Sequence, residues 1–361
     1  MNNFWQKLPK PFFCLAPMAD VTDSAFRLIV AKYGKPDVMW TEFVSADGLC
    51  SRGREKLLID LKYSEAERPI VAQIFGSKPE NIKNASALCA ELGFDGIDIN
   101  MGCPDKTIEK QNAGAALIKN PKLAGEIIQA AREGAPNLPV SVKTRLGYNK
   151  IETDSPAGGW IRELLETKLD ALTIHARTRK EMSLVPAHWD EVKKIIKMRD
   201  EISPDTLIIG NGGVLDMEDA KRIAKETGCD GIMLGKAIFG NPWLFASLGG
   251  ERSLKDASRS DLEEPSVEKK LKVMVEHTKL FEKLLSLNRQ KPIGRTSQGE
   301  VLGKNFAIVK KHYKAYIKGF DACPTERSQP FGRGAKELRI KLMEAKDAGE
   351  VEQITNNFFK V

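Results

Sequence analysis

A cysteine held between a glycine and a proline is placed for more than packing. Cys103 lies in Gly102-Cys103-Pro104, just where the strand-like stretch Gly96–Asn100 ends. Gly102 permits a tight turn, and Pro104 fixes the φ that follows. A thiol that is oriented and part-exposed can act as an acid or a nucleophile. Cys14, Cys89 and Cys229 sit in or beside apolar runs, where packing accounts for them. Other residues carry chemistry by type and place. Lys143 interrupts the apolar run PVSVK, and a buried cation needs a partner, which a ligand turning anionic would supply. Gln73 both donates and accepts, which suits the edge of a heterocyclic ring. His175 follows Leu-Thr-Ile and reads either as a ligand contact or as a satisfied core histidine. Gly212-Gly213 after Asn211, and Gly235 before Lys236, would let backbone N–H groups approach an anion, with helix N-termini adding positive dipole.

These residues need elements to bring them together. Short apolar runs alternate with amphipathic stretches over the first ~250 residues, the sign of repeated βα units. Strands are expected at Phe12–Pro17, Asp37–Phe43, Pro69–Phe75, Gly96–Asn100, Pro139–Thr144, Ala171–His175, Thr206–Asn211 and Gly231–Leu234. Helices are expected between them, among them Ser24–Tyr33, Pro79–Leu92, Pro121–Glu133, Ala157–Thr167, Trp189–Arg199 and Met217–Thr227. Eight alternations predict an α/β fold, a (β/α)8 TIM barrel. A doubly wound sheet is disfavoured because no G-x-G-x-x-G follows the first strand. In such a barrel the active site lies at the C-terminal ends of the strands. Those ends gather Ala16-Pro17-Met18-Ala19, Gln73, Asn100, Lys143, Arg145, His175-Ala176-Arg177, Asn211–Gly213 and Gly235-Lys236. A phosphate grip after strands seven and eight, a ring-edge amide and a buried cation together point to flavin mononucleotide across the barrel mouth.

Composition bounds the rest. A hydrophobic share of 42% and a charged share of 29% describe a globular chain rather than a disordered one. No apolar run approaches the ~20 residues of a membrane span, and the N-terminus lacks a signal-peptide core, so a cytoplasmic protein is expected. The six cysteines form no CxxC pair, which fits a reducing compartment and argues against a zinc site or any bound metal. The net charge of +7 is concentrated: residues 266–321 hold thirteen Lys and Arg against five Asp and Glu. Gly249–Ser266 reads as a linker, so a barrel over 1–250 and a helical domain over 251–361 are expected. In that domain Val267, Leu271, Met274, Thr278, Phe281 and Leu285 mark one amphipathic helix, and Leu302, Phe306, Val309, Tyr313 and Ile317 a second. Lys304, Lys311, Lys314 and Lys318 fall on the opposite face of the second helix, a candidate nucleic-acid contact.

At this point the chain resembles the tRNA-dihydrouridine synthases. The matching stretches are APMADVTDSAFR (Ala16–Arg27), QIFGSKPE (Gln73–Glu80), DINMGCPDKTIEKQNAGAALIKNP (Asp98–Pro121), PVSVKTRLG (Pro139–Gly147), LTIHARTR (Leu172–Arg179), IIGNGGV (Ile208–Val214) and GIMLGKAIFGNPWLF (Gly231–Phe245). They cover nearly the whole barrel in the family's order; the basic tail KKHYKAYIKGF is similar to the family's tRNA-binding domain. The resemblance implies FMN-dependent reduction of specific tRNA uridines to 5,6-dihydrouridine, with NADPH as electron source; a monomer is expected. It implies that Pro17, Met18, Ala19, Gln73, Lys143, His175, Asn211, Gly212, Gly213, Gly235 and Lys236 hold FMN. Hydride would pass from flavin N5 to uracil C6, and Cys103 would protonate C5. Lys143 would stabilise the negative charge of the reduced ring, Asn100 would orient flavin or uracil, Arg145 would serve the substrate, and Lys311, Lys314 and Lys318 the tRNA backbone. The family usually has arginine at the place of Lys236 and often aspartate at that of Gly213; a backbone phosphate grip survives both changes.

Two other readings stay open. An FMN barrel acting on a free pyrimidine, like a dihydroorotate dehydrogenase, would share the phosphate grip and lysine but would not need a basic helical appendage. A tRNA-binding protein that assists RNA folding without chemistry would not need Cys103, Lys143 and His175 intact.

Overall fold

The computed structural model describes residues 3–153, 159–246, 265–287, 294–299, 301–318 and 331–359. The strands are β1 (Phe12–Leu15), β2 (Met39–Trp40), β3 (Val44–Ser45), β4 (Ile70–Phe75), β5 (Gly96–Met101), β6 (Val140–Arg145), β7 (Ala171–His175), β8 (Leu207–Asn211) and β9 (Gly231–Leu234). The helices are α1 (Ser24–Tyr33), α2 (Ala46–Leu49), α3 (Arg54–Leu57), α4 (Pro79–Glu91), α5 (Lys106–Glu109), α6 (Pro121–Gly134), α7 (Trp160–Glu166), α8 (Trp189–Ile202), α9 (Met217–Thr227), α10 (Val267–Leu284), α11 (Lys310–Tyr316), α12 (Phe331–Glu344) and α13 (Ala348–Phe358). The chain divides into two compact units, 1–18 with 36–237, and 19–35 with 238–361.

The first unit is the expected barrel. Every pairing is parallel, in the order β1-β9-β8-β7-β6-β5-β4-β2. A bridge from Cys14 to Val38 closes the ring between β1 and β2. Hydrophobic alternation explains the interior. Phe12, Cys14, Ala16, Val38, Trp40, Val71, Ala171, Leu207, Ile209 and Met233 form one inward cluster, capped from the N-terminal side by Trp5. Four aspartates at the strand starts set the register. Asp37, Asp95, Asp170 and Asp230 accept the backbone N–H of Phe13, Ile70, Val140 and Ile208, each at 2.8 Å. Each carboxylate ties the start of one strand to its neighbour, and a one-residue slip would exchange inward and outward side chains. The height of every side chain at the far end follows from these bonds.

The second strand is shorter than Asp37–Phe43. Beyond Trp40 the chain bends, and β3 pairs with β4 as a separate short strand. The helix expected over Ala157–Thr167 begins at Trp160 in α7, and 154–158 lie outside the described residues. So do 249–264 of the linker, and Cys323.

In the second unit, α1 packs on α10: Phe26 lies 5.3 Å from the His277 ring, and Lys32 pairs with Glu276 at 2.7 Å. The helix expected over Leu302–Ile317 is corrected to α11, preceded by a 3-10 turn at Phe306–Ile308. Gly303 is the reason. It has φ +148°, and a Cβ there would lie 2.6 Å from the Leu287 backbone, so the chain at 303 runs against 286–287 instead of coiling. Lys304 accordingly bridges to Ser286 and does not share the helical lysine face. Among the described residues no helix is long and apolar enough to cross a membrane.

Candidate active site

The C-terminal mouth of the barrel holds a cavity of about 480 Å³. Its lining includes Pro17, Met18, Lys143, His175, Asn211, Gly212, Gly213, Gly235 and Lys236. Sequence reasoning also named Gln73 and Ala19. Gln73 is fully buried in the β4 wall, and Ala19 falls in the second unit.

At one side of the cavity the backbone turns on glycine. Gly212 and Gly213 have φ of +127° and +72°, a region costly for side-chain-bearing residues. A Cβ on Gly212 would lie 2.9 Å from His175 Cδ2, and one on Gly213 3.2 Å from Arg177 Nη2. The turn is therefore bare, and the Arg177 guanidinium lies against it. Arg177, read at the end of the same strand but given no role there, stands two residues after His175 and so falls on the same face of an extended chain. The N-terminus of α9 does not contribute the expected dipole freely, because Asp216 caps it by accepting from Asp219 N at 2.8 Å. Bare glycine turns lining one cavity with Lys236 and Arg177 could hold an anion.

Polar groups on β6, β7 and β8 line the floor. Lys143 Nζ donates to Asn211 Oδ1 at 3.2 Å, and Asn211 Nδ2 donates to the Met233 carbonyl at 2.7 Å. Burial, reinforced by the charge of Arg145, pulls the Lys143 ammonium down to about 8, with Asp98 and Cys103 opposing. Burial and the surrounding cations Lys143, Arg145, Arg177 and Lys236 push His175 down to about 2, so its ring is neutral. Nε2 lies 3.0 Å from Arg177 Nη1. Since the guanidinium only donates, Nε2 accepts and Nδ1 carries the proton.

The Gly-Cys-Pro corner follows β5. Asn100 Oδ1 accepts from Gly102 N at 3.1 Å and Cys103 N at 2.9 Å. Arg145 Nε donates to the Gly102 carbonyl at 2.8 Å, and Nη1 to the carbonyls of Thr178 and Met182. Arg145, expected to serve a substrate, thus ties the corner to the loop after β7; burial lowers its pKa to about 10. Behind the corner, Ala115 N donates to the Cys103 carbonyl at 2.9 Å. Gly114, at φ +61°, lets that approach happen, since a Cβ there would sit 2.8 Å from the Cys103 oxygen. The half-buried thiol packs beside Phe75, Ile108 and Ala113. Burial raises its pKa, with the Asp105 backbone and the charges of Arg145 and Lys143 opposing and the Asp105 carboxylate reinforcing. The group is therefore a protonated thiol at neutral pH, suited to give a proton rather than to attack as thiolate.

On α11, Lys311 and Lys314 are exposed, as is Lys318 just beyond it, while His312, Tyr313, Tyr316 and Ile317 are buried. Lys311 pairs with Asp20 at 2.8 Å.

Comparison with known proteins places the chain in a family. The dihydrouridine synthase (Dus) family model matches residues 14–329. A probable tRNA-dihydrouridine synthase 2 of Bacillus subtilis (strain 168) is 39% identical over 99% of this chain and 97% of that protein. A probable tRNA-dihydrouridine synthase of Staphylococcus aureus (strain MRSA252) is 38% identical over 99% and 96%. Among solved structures, an old yellow enzyme homologue from Zymomonas mobilis (NCR) aligns at 13% identity and a TM-score of 0.45, over 71% of this chain and 93% of that one. With a family match spanning both the barrel and most of the helical region, the chain is an enzyme of the dihydrouridine synthase family.

Proposed function

We propose that this enzyme reduces specific uridines of tRNA to 5,6-dihydrouridine, using FMN and NAD(P)H, with Cys103 as the proton donor. The observation that carries the reading is the corner itself: a half-buried thiol whose backbone N–H is held by Asn100 just beyond β5, at the end of the barrel that also holds the cavity. FMN fits the residues present. The bare Gly212-Gly213 turn, with Gly235, Lys236 and Arg177, would take its phosphate. Lys143, His175 and Asn211 would meet its ring and Pro17 and Met18 its apolar face; the resemblance adds Gln73 and Ala19, which do not line the cavity. Held there, the flavin would supply the hydride for uracil C6, drawn in turn from NAD(P)H.

The protein's own residues do the rest. Lys143 offers positive charge where negative charge accumulates. The neutral His175 ring donates through Nδ1. Addition at C6 leaves an enolate across C4 and C5 of the uracil, and Cys103 gives its proton to C5, closing the C5–H bond and leaving a thiolate that solvent reprotonates. Asn100 and Arg145 hold the corner that aims the thiol. A uridine inside folded tRNA must leave its stack to reach the mouth, and contacts elsewhere must offset the unstacking. Lys311, Lys314 and Lys318 would supply them by gripping phosphates.

The test is nucleoside mass spectrometry of dihydrouridine-free tRNA incubated with the protein, FMN and NADPH. New dihydrouridine is expected. No product from a flavin-loaded protein, with turnover of a free pyrimidine instead, would overturn the reading in favour of a small-molecule reductase.

A further inference from the structure

Cys103 is held by Asn100, but nothing within Asn100 decides which way its amide points. An Asn or Gln side chain has a donor end and an acceptor end of nearly the same shape, and neighbours must choose between them. Here the choice traces back to one buried carboxylate. Asp98 is fully buried on the inward face of β5. Its Oδ1 accepts from Ser141 Oγ at 2.6 Å, and its Oδ2 accepts from Gln73 Nε2 at 2.6 Å. Gln73 Oε1 in turn accepts from Asn100 Nδ2 at 3.2 Å. Asn100 Oδ1 is then left to accept from Gly102 N and Cys103 N.

We propose that Asp98 is a positioning residue for Cys103, acting through the side-chain amides of Gln73 and Asn100. A carboxylate only accepts. It therefore requires Nε2 of Gln73, which turns Oε1 toward Asn100. Asn100 must answer with Nδ2, which turns Oδ1 toward the two N–H groups of the Gly-Cys-Pro corner. Reversing the first amide would reverse the second and set an NH2 group against two N–H donors, leaving three donors unpaired in a buried place. The accept-only carboxylate at one end and the donor-only N–H groups of the corner at the other thus agree on one polarity for both amides, and Asp98 anchors the chain three hydrogen bonds from Cys103. Facing Asp98 are Lys143 from β6, its cationic neighbour, Ser141 and Gln73, which donate to its two oxygens, and the indole of Trp40 from β2; burial outweighs them and raises its pKa to about 6, so it is the carboxylate at neutral pH. Burial of this kind is expensive for a carboxylate, which argues that the group is there for what it orients. This rests on the reading of Cys103 as proton donor only for its catalytic meaning, not for its geometry.

The experiment is amide hydrogen exchange of the 99–105 segment, together with the rate at which iodoacetamide alkylates Cys103, in the tRNA-free protein. The variants are Asp98→Leu, Gln73→Leu and Asp98→Asn. Asp98→Leu and Gln73→Leu each break the chain, and exchange at Gly102 and Cys103 is expected to rise about tenfold, as for the loss of one buried hydrogen bond, with alkylation changing in step. Asp98→Asn is expected to stay near wild type. Its Oδ1 can still accept from Gln73 while Nδ2 donates to Ser141 Oγ, whose proton turns to the Ile97 carbonyl already 3.3 Å away. If Asp98→Leu loosens the whole barrel, Gln73→Leu decides, because it leaves Asp98 with Ser141. Wild-type exchange and alkylation in Gln73→Leu, or Asp98→Asn exchanging as fast as a folded Asp98→Leu, would overturn the proposal. Because no tRNA is present, these results stand whether or not Cys103 is the proton donor; that is read separately from product formation.

Discussion

Acid should loosen the helical unit through two histidines. His277 on α10 and His312 on α11 are fully buried, their rings 4.7 Å apart at 77°, with Phe26 at 4.5 Å from His312. Burial drives both pKa values down. His277 is held well below 6.5, with His312 adding to the effect. His312 is brought to about 4, the Val21 backbone opposing only in part and Lys311 reinforcing. The sign follows directly. Both rings are neutral in the fold, while the unfolded chain takes up protons below about 6.5. The stabilisation is complete above that pH and is lost as pH falls toward the folded value. For His312 the gap between 6.5 and about 4 is on the order of 3 kcal/mol when fully expressed. About 2 kcal/mol of it is gone by pH 5, and His277 adds in the same direction. Thermal unfolding at pH 7.5 and pH 5 should show a loss of roughly 5 °C or more in the transition of this unit. His312→Phe and the double variant with His277→Phe keep a ring against Phe26 but remove the titration, and should flatten the dependence. An equal drop in wild type and the double variant would refute the reasoning.

Other consequences are as direct. Gly114→Ala places a methyl 2.8 Å from the Cys103 carbonyl at φ +61°; it should cost about 1–3 kcal/mol and lower kcat while flavin content, read by absorbance, stays unchanged. Reversing charge at Lys311, Lys314 and Lys318 together should weaken tRNA binding and flatten its salt dependence, by about 0.7–0.9 in log–log slope for each phosphate released; an unchanged slope in filter binding would rule out the basic face. Lys143 is charged only below about 8, so FMN affinity of the stripped protein should fall as pH rises through that value, and Lys143→Arg should remove the decline in a fluorescence titration.

The alternation of apolar runs made the barrel legible, since a buried parallel strand reads as a short continuous apolar stretch and its end as the first polar break. That is why Lys143, His175, Asn211 and the glycine turns fall together around one cavity. Other features left no periodic signal. Asp98 lies inside DIN, where a polar residue on the inward face looks the same whether it faces a ligand or other side chains. Arg145 was correctly placed at a strand end, but pattern does not tell that its donors are taken by three carbonyls. Periodicity over Leu302–Ile317 is helical, yet the close approach at Gly303 overrides it, a tertiary contact that propensity does not contain. Amphipathic spacing in α1 shows that a face is buried and says nothing of α10, its partner.

The central claim is that Cys103 gives the proton to uracil C5. It is tested most directly by single-turnover dihydrouridine formation with flavin-reduced wild type and Cys103→Ala, at matched flavin content and saturating tRNA. The expected result is a rate about 10²–10⁴-fold lower in the variant, the range for loss of a general acid, with tRNA affinity unchanged. Equal rates would contradict the account and leave the Gly-Cys-Pro corner without its assigned chemistry.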